Sequence, residues 1–436
     1  MKIPEIVQVE TQQVPGSLAS VLNVIAEAGL VLEHLTTLHR DQGKTLWEIT
    51  VEIDESANPL LYGRIDQLPN ARFVGKSDRV FNRHRGGKIR MQASLSITTK
   101  QILRDIYTPG VARVCLAIRD DPARANLYTN RPNTVAVVTN GTAVLGLGDL
   151  GPVASLPVME GKSALFAALV GITAYPILVA SKDTARIVDT IAAIAPSFGA
   201  IQLEDIAAPE CFEIEDELVR RLSIPVLHDD QHGTAVVALA GLLNAVKRVG
   251  RNLDQSVVGQ VGLGAAGLGI ARLLRAQGVQ RLLGADLRPD AIERLRELGG
   301  EPATLQDVMA QSDIVVATTG VKGLIKPEWV RPGQIVFALS NPDAEIEPMA
   351  ALERGAAFAA DGKGINNVAA FPGLFKGALE AGAPRFTDGM LVAAAHALAR
   401  RAGPEELLPD ALNLDTHRAV TAAVRAAGVE PVFSAL

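Results

Sequence analysis

The sequence predicts an α/β protein in which a ferredoxin-like βαββαβ module precedes two larger α/β regions, the second of them a doubly wound parallel sheet. A length of 436 residues allows two or three domains, each with its own core. Apolar runs alternate with helical stretches after about Val237, which is typical of a parallel sheet. A composition of 48% hydrophobic and 21% charged residues indicates a globular chain. We expect domains at 1–80, 91–236 and 237–390, a linker at 81–90, and C-terminal helices at 391–436.

The N-terminal module alternates strands and helices in the order βαββαβ. A strand over residues 3–10 precedes a helix that has Ser17 as its expected cap and Gly29 as its stop. Two strands form a hairpin across residues 41–44, and a helix near 58–68 and a strand at 71–74 complete the unit. This order resembles an ACT domain, a small module found beside metabolic enzymes. The resemblance implies either a site for a small effector or a module that only drives oligomerisation.

Charge and cysteine content exclude several classes of protein. A formal net charge of −6 argues against nucleic acid as a partner, since that binding needs clustered Lys and Arg. The basic run Arg79–Arg90 is the exception, and we interpret it as part of a solvated linker. The 2 cysteines cannot form a disulfide framework, and the first residues lack the apolar stretch of a signal peptide. A cytoplasmic location fits both observations.

One uncharged segment, Ser163–Ser181, is just long enough to cross a membrane. Pro176 is expected to divide it into a helical half and a β-rich half. The segment therefore predicts a buried helix that leads into a buried parallel strand, with no membrane as a partner.

The glycine-rich motif from Gly262 to Gly267 indicates a dinucleotide cofactor. It follows an apolar strand and opens a helix, and in that context small residues let the backbone approach a pyrophosphate. Asp286 ends the next strand, where an acid bonds the adenosine ribose and repels a 2′-phosphate. The motif predicts a Rossmann-type domain that binds NAD, with NADP less favoured, although Arg288 weakens the charge argument. The expected cofactor contacts are Gly262, Gly264, Ala265, Ala266, Gly267 and Asp286.

Two acidic segments follow other apolar runs, one at Glu204 and Asp205 and one from His228 to His232. Open α/β sheets place their ligands at the carboxyl ends of strands, where these side chains should emerge. Adjacent strand residues point to opposite faces, so Glu204 and Asp205 can share one ion only if the strand stops there. Carboxylate oxygens favour Mg²⁺ or Mn²⁺. The two histidines, four positions apart, leave a zinc site as an alternative.

Several motifs stand in the order found in malic enzymes, over roughly residues 91–390. They are YTPGVA with Tyr107, VTNGTAVLGLGDLG, MEGK with Lys162, IQLEDI, HDDQHGTA, GLGAAGLGIA, LSNP with Asn341, and NNVAAFPG with Asn366 and Asn367. The chain therefore resembles a malic enzyme of the bacterial type. It departs from the eukaryotic pattern at Ala143, where those enzymes carry an arginine that binds a substrate carboxylate. The partner of the free carboxylate stays unassigned.

This resemblance implies the NAD-dependent oxidative decarboxylation of (S)-malate to pyruvate and CO₂, with a divalent metal. Glu204, Asp205 and Asp230 would hold Mg²⁺ or Mn²⁺. Asp229 would be a structural neighbour of the site rather than a ligand.

The resemblance also assigns the proton transfers and the substrate contacts. Lys162 would act as the general base, with its pKa lowered by burial and by the nearby cation. Tyr107 would deliver a proton to C3 of the product. Asn341 would contact both cofactor and substrate, and Asn366 and Asn367 would contact the substrate.

Two other functions remain open on the sequence. The same scaffold could carry malolactic activity, in which the hydride returns to give lactate and NAD is unchanged. A regulatory binding protein built on ACT and Rossmann modules is an alternative of a different class, and it would leave Lys162 and the carboxylates idle. The family and the ACT-like module both lead us to expect a homodimer or a larger homo-oligomer.

Overall fold

A computed structural model describes residues 3–53, 58–77, 79–144 and 147–429. The chain forms two compact units, residues 1–88 and residues 89–436.

The first unit is the predicted ferredoxin-like βαββαβ module, followed by a short helix. Its antiparallel sheet has the strand order β2-β3-β1-β4, so the first strand lies between the third and the fourth. The core lies between one face of this sheet, with Val7, Val9 and Ile49, and the helices, which contribute Val21 and Ile65. The elements are β1 Ile3–Gln12, α1 Ser17–Glu27, β2 Leu32–Asp41, β3 Lys44–Ile53, α2 Asn58–Asp66, β4 Ala71–Lys76 and α3 Arg79–His84.

Two expectations for this unit were wrong. Ser17 is the first residue of α1 rather than its cap, and Gly16 precedes it in the left-handed conformation without a side-chain cap bond. The segment expected to be a solvated linker contains α3, whose first residue, Arg79, forms an ion pair with the buried Glu48 on β3. A charged run can therefore be part of a folded unit when one of its charges has a buried partner.

The second unit begins with three short helices and continues into a four-stranded parallel sheet of order β6-β5-β7-β8. Helices connect each strand to the next, as parallel pairing requires. All the carboxyl ends of these strands therefore lie at one edge. The elements are α4 Lys100–Ile106, α5 Val111–Asp120, α6 Ala125–Tyr128, β5 Thr134–Thr139, α7 Pro152–Val170, β6 Thr173–Leu178, α8 Thr184–Ile194, β7 Ala200–Leu203, α9 Glu210–Arg221, β8 Val226–His228 and α10 Asp229–Arg248.

The C-terminal part of helix α7 and strand β6 make up most of the uncharged segment Ser163–Ser181. The helix ends at Gly171, which adopts the left-handed conformation, and Pro176 lies inside β6. The expectation that Pro176 separates helix from strand was wrong, because β6 is an edge strand and tolerates a residue without an N–H. In the described residues, α7 is the one helix long and apolar enough to cross a membrane. It packs against β5 and β6 and buries Lys162 in ion pairs, and 28% of its apolar stretch is buried.

The remaining strands form a six-stranded parallel sheet of order β11-β10-β9-β12-β13-β14. Counted from β9, this is the order 3-2-1-4-5-6 of a doubly wound Rossmann sheet. The buried helix α10 spans the expected boundary at residue 236 and packs on α11. The elements are β9 Val257–Val261, α11 Ala265–Gln277, β10 Arg281–Ala285, α12 Pro289–Glu297, β11 Glu301–Pro302, α13 Leu305–Gln311, β12 Ile314–Ala317, β13 Ile335–Ala338, α14 Pro348–Glu353, β14 Phe358–Asp361, α15 Phe371–Ala381, α16 Asp388–Arg401 and α17 Leu414–Gly428.

Candidate active site

Strand β7 stops at Leu203, directly before the first acidic pair. Asp205 adopts a positive φ of 53°, which is uncommon for a residue other than glycine and costs backbone strain. The chain therefore leaves the strand geometry that would point Glu204 and Asp205 to opposite faces. Both side chains are buried, and their carboxylates lie in the same cluster. The strand thus stops at this pair, as it must if Glu204 and Asp205 are to share one ion.

Asp230 joins this pair from the first turn of α10. Its Oδ2 accepts a hydrogen bond of 2.9 Å from the backbone N–H of Asp205. One oxygen from each of Glu204, Asp205 and Asp230 lies within 4.8 Å of the others, so the structure brings the three predicted ligands together.

The chemistry of these carboxylates fits a hard divalent cation. Burial raises the pKa of Glu204 well above its ordinary value, and the neighbouring carboxylates of Asp230 and Asp229 raise it further, against the opposing effect of Lys162. Three acids that repel one another in a buried place are stabilised by a cation bound between them. Among the described residues, the rings of His228 and His232 do not belong to the converging group, which favours an oxygen ligand set over the zinc alternative.

Lys162 lies beside the carboxylate cluster, on the buried face of α7. Its Nζ is 2.5 Å from Oδ2 of Asp229, 3.1 Å from Oε1 of Glu204 and 3.3 Å from Oδ1 of Asn367. The same ammonium group lies 4.4 Å from the centre of the Phe371 ring. Asp229, which the sequence analysis treated as a structural neighbour, is therefore the direct partner of Lys162.

The acids around Lys162 reverse one expectation. Burial lowers the pKa of Lys162, as expected, but the charges of Asp229 and Glu204 outweigh burial and hold the pKa above its ordinary value. The downward shift was expected with a cation bound, and the protein groups alone shift the pKa of Lys162 in the opposite direction. Sequence reasoning counted a cation and burial but had no information on Asp229, whose carboxylate lies closest.

Gly233 on α10 makes room for the ion pair between Lys162 and Asp229. A Cβ atom at Gly233 would lie 1.8 Å from Oδ1 of Asp229. Any side chain there would displace the carboxylate that contacts Lys162, so the glycine of HDDQHG has a specific packing reason.

The glycine-rich turn lies between β9 and α11, at the point where the strand order of the sheet reverses. Helix α11 has Gly264 as its N-cap and no side-chain cap bond, and open space surrounds that glycine. A Cβ atom at Gly267 would lie 1.9 Å from the carbonyl oxygen of Gly262. Uncapped N–H groups, open space and close backbone packing together fit a bound pyrophosphate.

Asp286 follows β10 and lies against this turn. Its two carboxylate oxygens accept hydrogen bonds from the backbone N–H groups of Leu263, at 2.6 Å, and Arg288, at 2.9 Å. Helix α11 also approaches the acidic cluster, because a Cβ atom at Gly269 would lie 2.3 Å from the carbonyl oxygen of Gln231. The two predicted sites are therefore neighbours.

The asparagines take three different positions. The Nδ2 group of Asn341 donates to the carbonyl oxygen of Gly362 at 3.2 Å, after β13. Asn367 contacts Lys162, whereas the exposed Asn366 uses its Oδ1 to accept the N–H of Val368 and so caps a short 3₁₀ helix. The structure joins Asn367, but not Asn366, to the lysine.

Tyr107 ends α4, and its side chain is 68% exposed. Among the described residues its hydroxyl forms no hydrogen bond, and it lies outside the contacts made by Lys162. Ala143 donates its backbone N–H to the carbonyl oxygen of Asp205 and offers no charge.

Sequence reasoning missed a buried acid, Glu345. Its Oε1 accepts hydrogen bonds from the N–H of Thr319 at 2.6 Å, from the Thr319 hydroxyl at 2.9 Å and from the Ser340 hydroxyl at 2.5 Å. The acid therefore joins the loops that follow β12 and β13, next to Asn341. The acid stands four positions after that asparagine, but nothing in the local sequence indicates its contact with Thr319.

Known proteins resemble the chain over most of its length. The family model "Malic enzyme, N-terminal domain" matches residues 86–185, and "D-isomer specific 2-hydroxyacid dehydrogenase, NAD binding domain" matches residues 232–323. NAD-dependent malic enzyme 1 of Bacillus subtilis is 46% identical over 427 residues, which cover 97% of each chain.

Two further proteins match smaller parts of this chain. The bifunctional malic/malolactic enzyme of Bacillus subtilis is 39% identical over 74% of this chain and 84% of its own length. The crystal structure of an NAD-dependent malic enzyme from Thermotoga maritima superimposes with a TM-score of 0.75 and 38% identity, over 80% of this chain and 99% of the other.

Proposed function

Because the chain belongs to the malic enzyme family, we propose that it oxidises and decarboxylates (S)-malate with NAD as hydride acceptor. The products are pyruvate, CO₂ and NADH. The observation that supports this most strongly is the position of Lys162, a buried base in contact with Asp229, Glu204 and Asn367 beside three converging carboxylates.

Lys162 accepts the proton of the C2 hydroxyl while the hydride on C2 passes to the nicotinamide. Asp229 and Asn367 hold the amino group in place for that transfer. Glu204, Asp205 and Asp230 would hold a divalent cation, which would supply Lewis acidity to the substrate and offset the negative charge that raises the pKa of Lys162. The C4 carboxylate then leaves as CO₂, and its bonding electrons remain on C3 as an enolate. Proton delivery to C3 completes pyruvate.

Tyr107 is our candidate for this final proton donor, by its place in the YTPGVA motif. It lies on a segment, residues 89–128, whose apolar side chains are largely exposed. A tyrosine that donates to an enolate has to be shielded from water. We therefore propose that copies of the chain associate through this segment, consistent with an oligomeric family, and that Tyr107 acts in the associated state. The exposed apolar side chains are Ile89, Met91, Leu95, Ile97, Leu103, Ile106, Leu116, Leu127 and Tyr128.

The glycine-rich turn would hold the pyrophosphate of NAD, and Asp286 would accept hydrogen bonds from the ribose hydroxyls. Asn341 lies after β13, at the carboxyl edge of the same sheet, where the nicotinamide end of the cofactor would lie.

The N-terminal unit has the element order of an ACT domain, and we propose that it binds a small effector or promotes assembly. The fold alone does not choose between these roles. A soluble, cytoplasmic enzyme fits the charge and the cysteine content.

Two variants test whether the site is catalytic. Lys162→Ala and Asp230→Ala should each lower kcat by about 10²–10⁴-fold, the usual contribution of a positioned base or of the groups that support it. The measurement is NADH formation from malate and NAD with Mn²⁺, and Lys247→Ala, at an exposed position of α10, is the matched control. Wild-type rates in both variants would show that the catalytic roles are assigned to the wrong residues. Absence of NADH formation by the wild-type protein would favour the regulatory binding protein instead.

A further inference from the structure

Helix α10 begins without a cap of its own. Its N-cap residue, His228, makes no side-chain cap bond, and the first N–H groups of any helix need acceptors from elsewhere. The acids of the first turn are engaged away from these groups, because Asp229 contacts Lys162 and Asp230 accepts from Asp205. The free N–H groups at the start of α10 therefore need a hydrogen-bond acceptor from another element.

Glu215 on α9 supplies that acceptor. It is buried, with 7% of its surface exposed. One carboxylate oxygen accepts the backbone N–H of His228 at 2.7 Å, and the other accepts the ring Nε2–H of His232 at 2.9 Å. These two bonds lie on either side of Asp229 and Asp230 in the chain. A negative charge at this end of a helix is also favoured by the helix dipole.

We propose that Glu215 is a positioning residue that sets the direction of Asp229 and Asp230 by holding both ends of the first turn of α10. The proposal rests on the proposed roles of these two acids. Carboxylates that bind a metal are oriented by the groups behind them, and loss of such a group weakens metal binding by about 10–100-fold. Glu215 does not belong to the three converging carboxylates, and its two bonds go to His228 and His232, so it acts through the acids it orients.

The same helix provides a matched control. Glu213 lies two positions away on α9 and is exposed, so its replacement changes the charge of α9 without touching α10. The variants are Glu215→Leu, which keeps the bulk and removes both acceptors, Glu215→Gln, which keeps one carbonyl oxygen, and Glu213→Leu.

Mn²⁺ titration of the whole protein, followed by the paramagnetic resonance of free Mn²⁺, measures the effect without turnover. Glu215→Leu should bind Mn²⁺ about 10–100-fold more weakly than wild type. Glu215→Gln should lie between the two, and Glu213→Leu should match wild type. Saturating Mn²⁺ should restore much of the kcat of Glu215→Leu, which a merely structural defect would not permit.

A folded Glu215→Leu protein with wild-type Mn²⁺ affinity overturns the proposal. If circular dichroism finds that variant unfolded, Glu215→Gln decides, and wild-type affinity there overturns it equally. A wild-type protein that binds no Mn²⁺ overturns the metal site itself, and the inference falls with it.

Discussion

At the scale of single residues, we propose that Asp286 determines the preference for NAD over NADP. Its carboxylate lies against the glycine-rich turn, held by the N–H groups of Leu263 and Arg288. In that role its negative charge would repel the 2′-phosphate of NADP, and its oxygens would accept hydrogen bonds from the ribose hydroxyls of NAD.

Replacement of Asp286 by Ser should therefore weaken discrimination between the cofactors. The KM for NAD should rise by about 10–100-fold, the loss expected for a hydrogen bond to a charged group, while the KM for NADP should rise less or fall. Steady-state kinetics with both cofactors measures the ratio, and the melting temperature serves as the control for the backbone bonds that are also lost. An unchanged NAD to NADP ratio would rule out this role.

The sequence predicted most single residues of the site, and its failures have a common cause. The two acidic segments were found because acids that follow apolar strands converge at one edge of a sheet, and the resemblance to malic enzymes then selected Glu204, Asp205 and Asp230, which the structure brings together. The acids Asp229, Glu215 and Glu345 act through contacts with residues distant in the chain, and no local pattern reports such contacts. The effect of Asp229 on the pKa of Lys162 was missed for the same reason.

At the scale of elements, α17 carries a buried histidine. His417 is fully buried, and its Nε2–H donates to the carbonyl oxygen of Ala411 at 2.8 Å. Burial lowers the pKa of His417 below its ordinary value of 6.5, although the bond to Ala411 opposes the shift. The folded protein therefore holds this ring neutral where the unfolded chain would protonate it.

Stability from His417 should be present above pH 6.5 and should be lost as pH falls from that value through the lower pKa of the folded protein. Below pH 6.5 the unfolded state binds more protons, so acid favours unfolding. Chemical denaturation between pH 8 and about pH 5 should give a smaller loss of unfolding free energy for His417→Gln than for wild type. His39→Gln, at an exposed histidine, should keep the wild-type slope. Equal slopes for His417→Gln and wild type would contradict the assignment.

Element type and order followed from the sequence more reliably than element boundaries. The βαββαβ order and the doubly wound sheet were predicted because apolar periodicity reports the strands and helices directly. The predicted boundary at Pro176 was wrong, because a proline interrupts a central strand but is accepted in the edge strand β6. Edge position is a tertiary fact that the local sequence does not contain.

At the scale of the whole molecule, residues 89–128 leave an apolar surface on the isolated chain. Leu116 is 49% exposed and Leu127 is 76% exposed, and Tyr107 lies on the same segment. We proposed that this surface is an interface between copies of the chain, as large exposed apolar patches often are.

The double variant Leu116→Glu and Leu127→Glu should therefore lower the oligomeric state, because two charges would have to be buried in the contact. Light scattering after gel filtration measures the mass, and kcat should fall in the dissociated protein if Tyr107 acts in the associated state. Leu412→Glu, at an exposed leucine outside this segment, should leave both unchanged. A double variant with wild-type mass would refute the assignment of the interface.

The product balance tests the central claim most directly. Purified protein with malate, NAD and Mn²⁺ should form pyruvate and NADH in equal amounts, because the hydride removed by the Lys162 site stays on the cofactor held at the glycine-rich turn. Enzymatic assay of pyruvate and lactate, with absorbance for NADH, follows all three products in one reaction. Lactate without net NADH would contradict the account and would indicate the malolactic reaction instead. That reaction is part of the name of the bifunctional malic/malolactic relative.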